Sequence, residues 1–177
     1  PEAKRILMPV PFDVGQWYKM YAEPTKQYCE EHGLDLHITE DDDFSGLFRR
    51  VERYLDDADV LFIPEGNLLL EMHRNLGVLC ADKETPFFNG HDWGVRTSAA
   101  LGYAMSLMPL GERAAAYAER ILFNGERACD LPIIQQADTR HPLVNLTIAA
   151  EQGLDAVALQ ERTKSVVGIE FLETREG

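Results

Sequence analysis

Val60-Leu61-Phe62-Ile63 runs without a break into Pro64-Glu65-Gly66-Asn67. A short, continuous apolar run that stops at Pro and bends at Gly reads as a buried strand ending in a sharp turn. Helical spacing follows from Asn67 to Leu79. The same unit occurs twice more, as Ile6 to Met8 into Pro9-Val10-Pro11-Phe12-Asp13 and as Phe87-Phe88 into Asn89-Gly90-His91-Asp92. Strand, polar tip and helix in that order build an open α/β sheet. In such sheets ligands bind beyond the carboxyl ends of the strands, where turns and helix starts leave backbone donors unsatisfied. Function is therefore sought at these tips.

Toward the N-terminus, Lys4 to Met8 reads as a strand stopped by Pro9 and Pro11, which cannot donate to a ladder. Trp17, Tyr18, Tyr21, Thr25, Tyr28 and Cys29 recur at helical spacing up to the C-cap Gly33, with Pro24 predicted to kink or split that helix. Leu34 to Ile38 is a second strand. Glu40-Asp41-Asp42-Asp43 then leads into an amphipathic helix carrying Phe44, Leu47, Phe48, Val51, Tyr54 and Leu55. Acids at a helix start complement its dipole, and that reading is preferred over metal binding. Asp59 to Ile63 completes a β-α-β-α-β-α order.

Toward the C-terminus, Thr85 to Phe88 is a fourth strand, and Val95 to Met108 reads as a further strand with a turn at Met108-Pro109. Leu110 to Phe123 is helical, with Ala114, Ala118, Ile121 and Leu122 on one stripe. Leu131 to Ile134 and Leu143-Val144 are short strand candidates. Asn145 to Gln152 is a brief helix capped by Gly153, Val157 to Arg162 another, and Ser165 to Leu172 a last strand. Strands alternating with helices imply a mainly parallel sheet flanked by helices on both faces.

The chain has 177 residues, suited to one domain, and 45% of them are apolar. Its net charge of -13, with no basic block, excludes a nucleic-acid footprint. No apolar run approaches the roughly 20 residues of a membrane span. Cys29, Cys80 and Cys129 form neither a metal spacing nor a redox pair and read as small hydrophobes. There is no signal peptide, and Pro1-Glu2-Ala3-Lys4 directly before a strand suggests a cut within a longer protein.

A glycine-rich dinucleotide turn, a phosphate-binding Gly-Lys loop, a Gly-x-Ser-x-Gly elbow and His-Glu-x-x-His are absent. A phosphoacceptor receiver is rejected as well, because Pro9-Val10 and Pro64-Glu65 stand where it needs acids. No cofactor is implied. Glu65 and Asn67 are placed to touch a ligand at a strand's end, Asn67 alternatively capping the next helix. His91 and Asp92 suit ligand hydrogen bonding, the alternatives being turn-making, metal ligation or acid-base work with His73 or His141. An indole just past a strand end makes a stacking wall. Trp93 is kept for that role and Trp17 assigned to packing.

From Glu65 onward the succession of features resembles one family. Ile63-Pro64-Glu65-Gly66-Asn67 is followed by Thr85-Pro86-Phe87-Phe88, by Asn89-Gly90-His91-Asp92 and by the small residues Ala99 to Tyr103. Ala115 to Leu122 then leads to Asn124-Gly125-Glu126, Leu131-Pro132-Ile133, Leu143-Val144-Asn145-Leu146, Ala149-Ala150 and Gly153-Leu154. This set resembles the distal half of substrate-binding proteins of ABC importers, in the group that includes binders of aromatic amino acids. The resemblance implies a single ligand-binding lobe over 1–177 with trailing elements, part of a longer two-lobed protein of the periplasm or another extracytoplasmic space. It implies cleft-facing residues Phe12, Asp13 and Gln16 after the first strand, Glu65 and Asn67 after the third, and Asn89, His91 and Asp92 after the fourth. Family members commonly carry small hydroxyl and amide residues at the Glu65 position, so an amine or hydroxyl of the ligand is favoured opposite this carboxylate. The implied function is non-catalytic capture of a small polar or amine-bearing solute for an ABC permease or an attached signalling domain. Self-association is expected, because the stripe on Leu110 to Phe123 needs burial that the absent first lobe would otherwise supply. The alternatives are an enzyme using His91 with Asp92 or Glu65 as acid and base, and the effector domain of a regulator.

Overall fold

The computed structural model describes residues 3–11, 18–41, 43–64, 72–105, 107–133 and 140–173. Its strands are β1 (Arg5–Pro11), β2 (Asp35–Asp41), β3 (Val60–Ile63), β4 (Phe87–His91), β5 (Leu101–Met105), β6 (Arg140–Asn145) and β7 (Glu170–Leu172). They join in one seven-stranded sheet of order β2-β1-β3-β4-β5-β6-β7. Every neighbouring pair is parallel except β5 with β6. The architecture is the mainly parallel α/β sheet that the alternation of apolar runs and helical stripes implies.

Successive side chains along a strand point to opposite faces, so a strand covered on both sides must be apolar at every position. β1 follows this rule. Leu7 enters a core with Leu61 and Ile63 under α2 (Phe44–Leu55) and α3 (His73–Asp82), where Leu47, Val51, Leu55, Leu76 and Cys80 are buried. Met8 and Val10 face the other way and pack with Ala22, Tyr21, Leu36, Ile38 and Phe62. That second face is covered by a single π-helical turn at Tyr18–Ala22 leading into α1 (Glu23–His32). Pro24 lies in the first turn of α1, so the expected split occurs immediately before it, where a missing N–H leaves no helical bond unmade. Gly33 closes α1 in the left-handed region at φ 66°.

Several boundaries differ from the sequence reading, each for a physical reason. β1 does not stop at Pro9 but runs to Pro11, paired with β2 through Pro11↔Asp41. The Arg5 carbonyl accepts from Asp59 on the β3 side, and residues two apart share that direction, so Pro9 and Pro11 turn their donor-less nitrogens toward β3. The register with β3 ends at Leu7↔Leu61, and no ladder bond is lost. The acidic run divides: Glu40 and Asp41 belong to β2, Asp41 accepts from Arg50 Nε at 2.6 Å, and only Asp43 caps α2, accepting from Gly46 N at 2.7 Å. β4 extends through Asn89-Gly90-His91, and α4 (Asp92–Thr97) starts at the next residue, so this stretch is strand rather than tip. Val95 to Met108 is not one strand but the end of α4, then β5, then the start of α5 (Leu107–Leu122), with Pro109 in the first helical turn. Residues 131–133 form no strand, and of Ser165 to Leu172 only Glu170–Leu172 is strand. The third helix is described from His73 to Asp82, and Asn67 lies outside the described residues. The C-terminal helices match expectation as α6 (Leu146–Glu151), capped by Asn145, and α7 (Ala156–Thr163), capped by Asp155.

None of the described side chains of α5 is buried. Of its predicted stripe, Ala114 and Ala118 are exposed, as are Ile121 and Leu122, and Phe123 just beyond is 82% exposed. Among the described residues no helix is long and apolar enough to cross a membrane.

Candidate ligand-binding rim

β1, β3 and β4 are adjacent and parallel, so their carboxyl ends lie along one edge of the sheet. Phe12, Asp13, Gln16, Glu65 and Asn67 lie outside the described residues. Asn89, His91, Asp92 and Trp93 are described, and they sit together where β4 hands over to α4.

Asn89 is wholly buried and organises this junction. Its Oδ1 accepts from the His91 backbone N–H at 2.7 Å, and its Nδ2 lies 3.1 Å from His73 Nε2. A backbone amide only donates, which fixes Oδ1 toward His91 and leaves Nδ2 as the donor to His73. His73 Nε2 is then the acceptor, and the proton of the neutral ring sits on Nδ1. Burial pushes the His73 pKa down to about 4, with a smaller contribution from His91 nearby. Gly94 belongs to the same arrangement: a Cβ there would stand 2.6 Å from Asn89 Cγ.

Trp93 is 40% exposed. Its indole stacks on the His73 ring at a centroid distance of 5.8 Å and an interplanar angle of 21°, while Phe87 meets that ring edge-on at 5.9 Å. The indole thus presents one face to the imidazole and part of its surface to solvent.

The Asp92 carboxylate is engaged by Arg96, one turn further along α4. Arg96 Nη2 also donates to Glu170 Oε1 at 3.0 Å, and Glu170 Oε2 lies 3.1 Å from His141 Nε2. These bonds raise the guanidinium pKa well above its ordinary value, the Asp92 bond most strongly, against the opposing effect of burial. They tie α4 to β6 and β7. Asp92 therefore acts as a charged strut as well as a rim residue. The i, i+4 spacing of Asp92 and Arg96 is a signal the sequence offers; nothing local points to Glu170.

His73 was noted in the sequence only as a histidine available to His91, and its position beneath Asn89 and Trp93 has no local signature. Among the described residues no group of three or more His, Cys, Asp or Glu side chains is placed to hold a metal ion. At the opposite, amino-terminal edge of the sheet lies a cavity of about 360 Å³ between Arg5, Leu7, Asp35, His37, Tyr54 and Asp57. The Tyr54 ring meets that of His37 there at a centroid distance of 4.4 Å and a tilt of 45°. Asp59, beside it, accepts from Arg5 Nη2 at 2.7 Å and from the Lys4 and Arg5 amides, and its carboxyl is held far below the usual range.

The chain folds as a mainly parallel sheet with helices on both faces, like one lobe of a periplasmic-binding-type protein. Solved structures bear this out. The chain superposes on the open structure of CD0873, a substrate binding protein with adhesive properties from Clostridium difficile, with TM-score 0.71 and 20% identity. It superposes equally well on a conserved domain protein from Vibrio cholerae, with TM-score 0.74 and 18% identity. A third match is an ABC domain from Streptococcus pneumonia in complex with L-Trp, with TM-score 0.73 and 16% identity. The matches cover 99%, 98% and 96% of this chain but 56% of each neighbour, so the chain spans little more than half the length of the proteins it resembles. No protein-family model matches the chain, and no curated protein matches it by sequence.

Proposed function

We propose that this chain is a non-catalytic solute-binding lobe that captures a small molecule at the carboxyl edge of its sheet. The observation that carries the reading is the junction at His73, Asn89 and Trp93: a buried hydrogen-bonded centre under a half-exposed indole, at the edge where sheets of this type hold ligands. The fold shared with substrate-binding proteins supports it, and the L-Trp held by one neighbour makes aromatic amino acids the first ligands to test. Glu65 then faces the amine, Trp93 the ring, and Phe12, Asp13, Gln16, Asn67 and His91 complete the rim. The opposing wall comes from a second lobe of a longer protein or from a second copy of this chain, which also covers the exposed stripe of α5. An ABC permease or an attached signalling domain receives the loaded lobe in an extracytoplasmic space.

A thermal-shift screen against amino acids, sugars and small amines tests this. A ligand at about 100 times its dissociation constant adds about 2.7 kcal/mol of stability. A saturable rise in melting temperature without turnover supports the reading, and product formation that is lost on His91→Ala replaces it with an enzyme. For self-association, light scattering is expected to give a mass that grows with concentration and falls to that of one chain on Leu122→Glu.

A further inference from the structure

Among the described residues, His73 Nδ1 is a buried side-chain polar atom without a hydrogen-bond partner. The bonds around Asn89 make it a donor and not an acceptor, because the His91 amide fixes Asn89 and Asn89 in turn fixes His73 Nε2. A buried N–H left unmade is costly, and such groups in native proteins have a reason for being there. The two ring nitrogens diverge, so Nδ1–H points away from Asn89. Of the side chains packed on the ring, Asn89 and Phe87 are fully buried, whereas Trp93 is 40% exposed. The indole is the member of this group that reaches solvent.

We propose that His73 Nδ1–H is the anchor for a carboxylate of the bound solute, reached when the Trp93 indole shifts off the imidazole and stacks on the solute's ring instead. This deepens the solute-binding reading and rests on it. It names the ligand class as an aromatic acid, with or without an amine. It also assigns His73 a role that a structural histidine lacks, since a core residue of that kind has both nitrogens partnered. No bond is made or broken covalently, and the ring keeps its proton on Nδ1.

The test uses the full 177-residue chain and three probes: L-tryptophan, indole-3-propionate, which keeps the carboxylate but lacks the amine, and tryptamine, which keeps the amine but lacks the carboxylate. Calorimetric titration of the wild type is expected to rank both carboxylates above tryptamine. His73→Phe is expected to weaken the two carboxylates about tenfold or more, the range of a hydrogen bond to a charged group, and to leave tryptamine unchanged. Long-range proton–nitrogen spectra of the wild type provide a measurement that does not depend on a variant folding. They are expected to show His73 protonated at Nδ1, with that resonance moving on addition of indole-3-propionate. An unmoved resonance at saturating probe, as a trapped water on Nδ1 would give, overturns the assignment. So does L-tryptophan binding equally to wild type and His73→Phe, or tryptamine binding as tightly as the carboxylates. If none of the three probes binds the wild type, the solute-binding reading for aromatic ligands fails and this inference fails with it.

Discussion

Lowering the pH should unfold this protein partly through one imidazole. His73 has a folded pKa of about 4 against an ordinary 6.5, because burial disfavours its charged form, with a smaller coulombic contribution from nearby His91. Between those two values the unfolded chain binds a proton that the folded chain does not, so stability must fall as the pH falls. The contribution is fully present above pH 6.5 and is spent by about pH 4. At pH 4.5 the unfolded imidazole is favoured about a hundredfold in its protonated form, and after allowing for partial protonation of the folded state the loss is on the order of 2 to 3 kcal/mol. Carboxylates with lowered pKa values, Asp59 and Glu126 among them, lose stability over an overlapping range, so the wild type alone does not isolate the effect. His73→Gln does, since it keeps an amide carbonyl to accept from Asn89 and cannot titrate. Urea unfolding of both proteins at pH 7 and pH 4.5 is the assay, with the difference of differences as the readout. The variant is expected to lose on the order of 2 to 3 kcal/mol less than the wild type on acidification. Parallel pH profiles for the two proteins would refute the burial of a neutral His73 and the tautomer argument built on it.

Other perturbations test the packing that holds the rim. Gln152 is wholly buried, and its side chain accepts from Phe87 N and donates to the Ser98 carbonyl, each at 2.9 Å. Gln152→Leu strands both backbone groups and should cost about 2 to 5 kcal/mol in a urea titration; a cost under 1 kcal/mol would mean that water replaces the side chain. Gly94→Ala drives a methyl into Asn89, which is held at both ends, and should destabilise by about 1 to 3 kcal/mol in the same assay. Thiol labelling of the native protein should modify Cys129 quickly and spare Cys29 and Cys80, which are buried, the Cys80 thiol being pushed up to about 12. Rapid labelling of all three would show that the sheet opens readily.

The strands that build the sheet were legible because successive residues such as Leu61 and Phe62 are apolar on both faces, a pattern that depends on little beyond the chain itself. The ends of the strands were harder. Asn89-Gly90-His91 is made of turn-forming residues, yet it is strand, because Asn89 finds partners in His73, sixteen residues upstream, and in the His91 amide. Long-range bonding outweighs a local preference that is all the sequence displays. Pro9 misled for a related reason, since whether a proline harms a ladder depends on which side that ladder has already ended. The six-residue helix α4 is too short to show a period, and it merged with β5 into a single expected strand. At the rim, Trp93 and His91 were visible as residue types beyond an apolar run. The role of His73 was not, because it follows from an amide orientation two bonds removed.

The antiparallel pairing of β5 with β6 has one more implication. Met105 faces Arg140 across that pair, a spacing that an ordinary two-residue hairpin turn bridges. The helix α5 thus lies in sequence between two strands that are already neighbours in the sheet. Excising it and splicing in a tight Asn-Gly link would leave every strand neighbour unchanged, while removing the surface most in need of company.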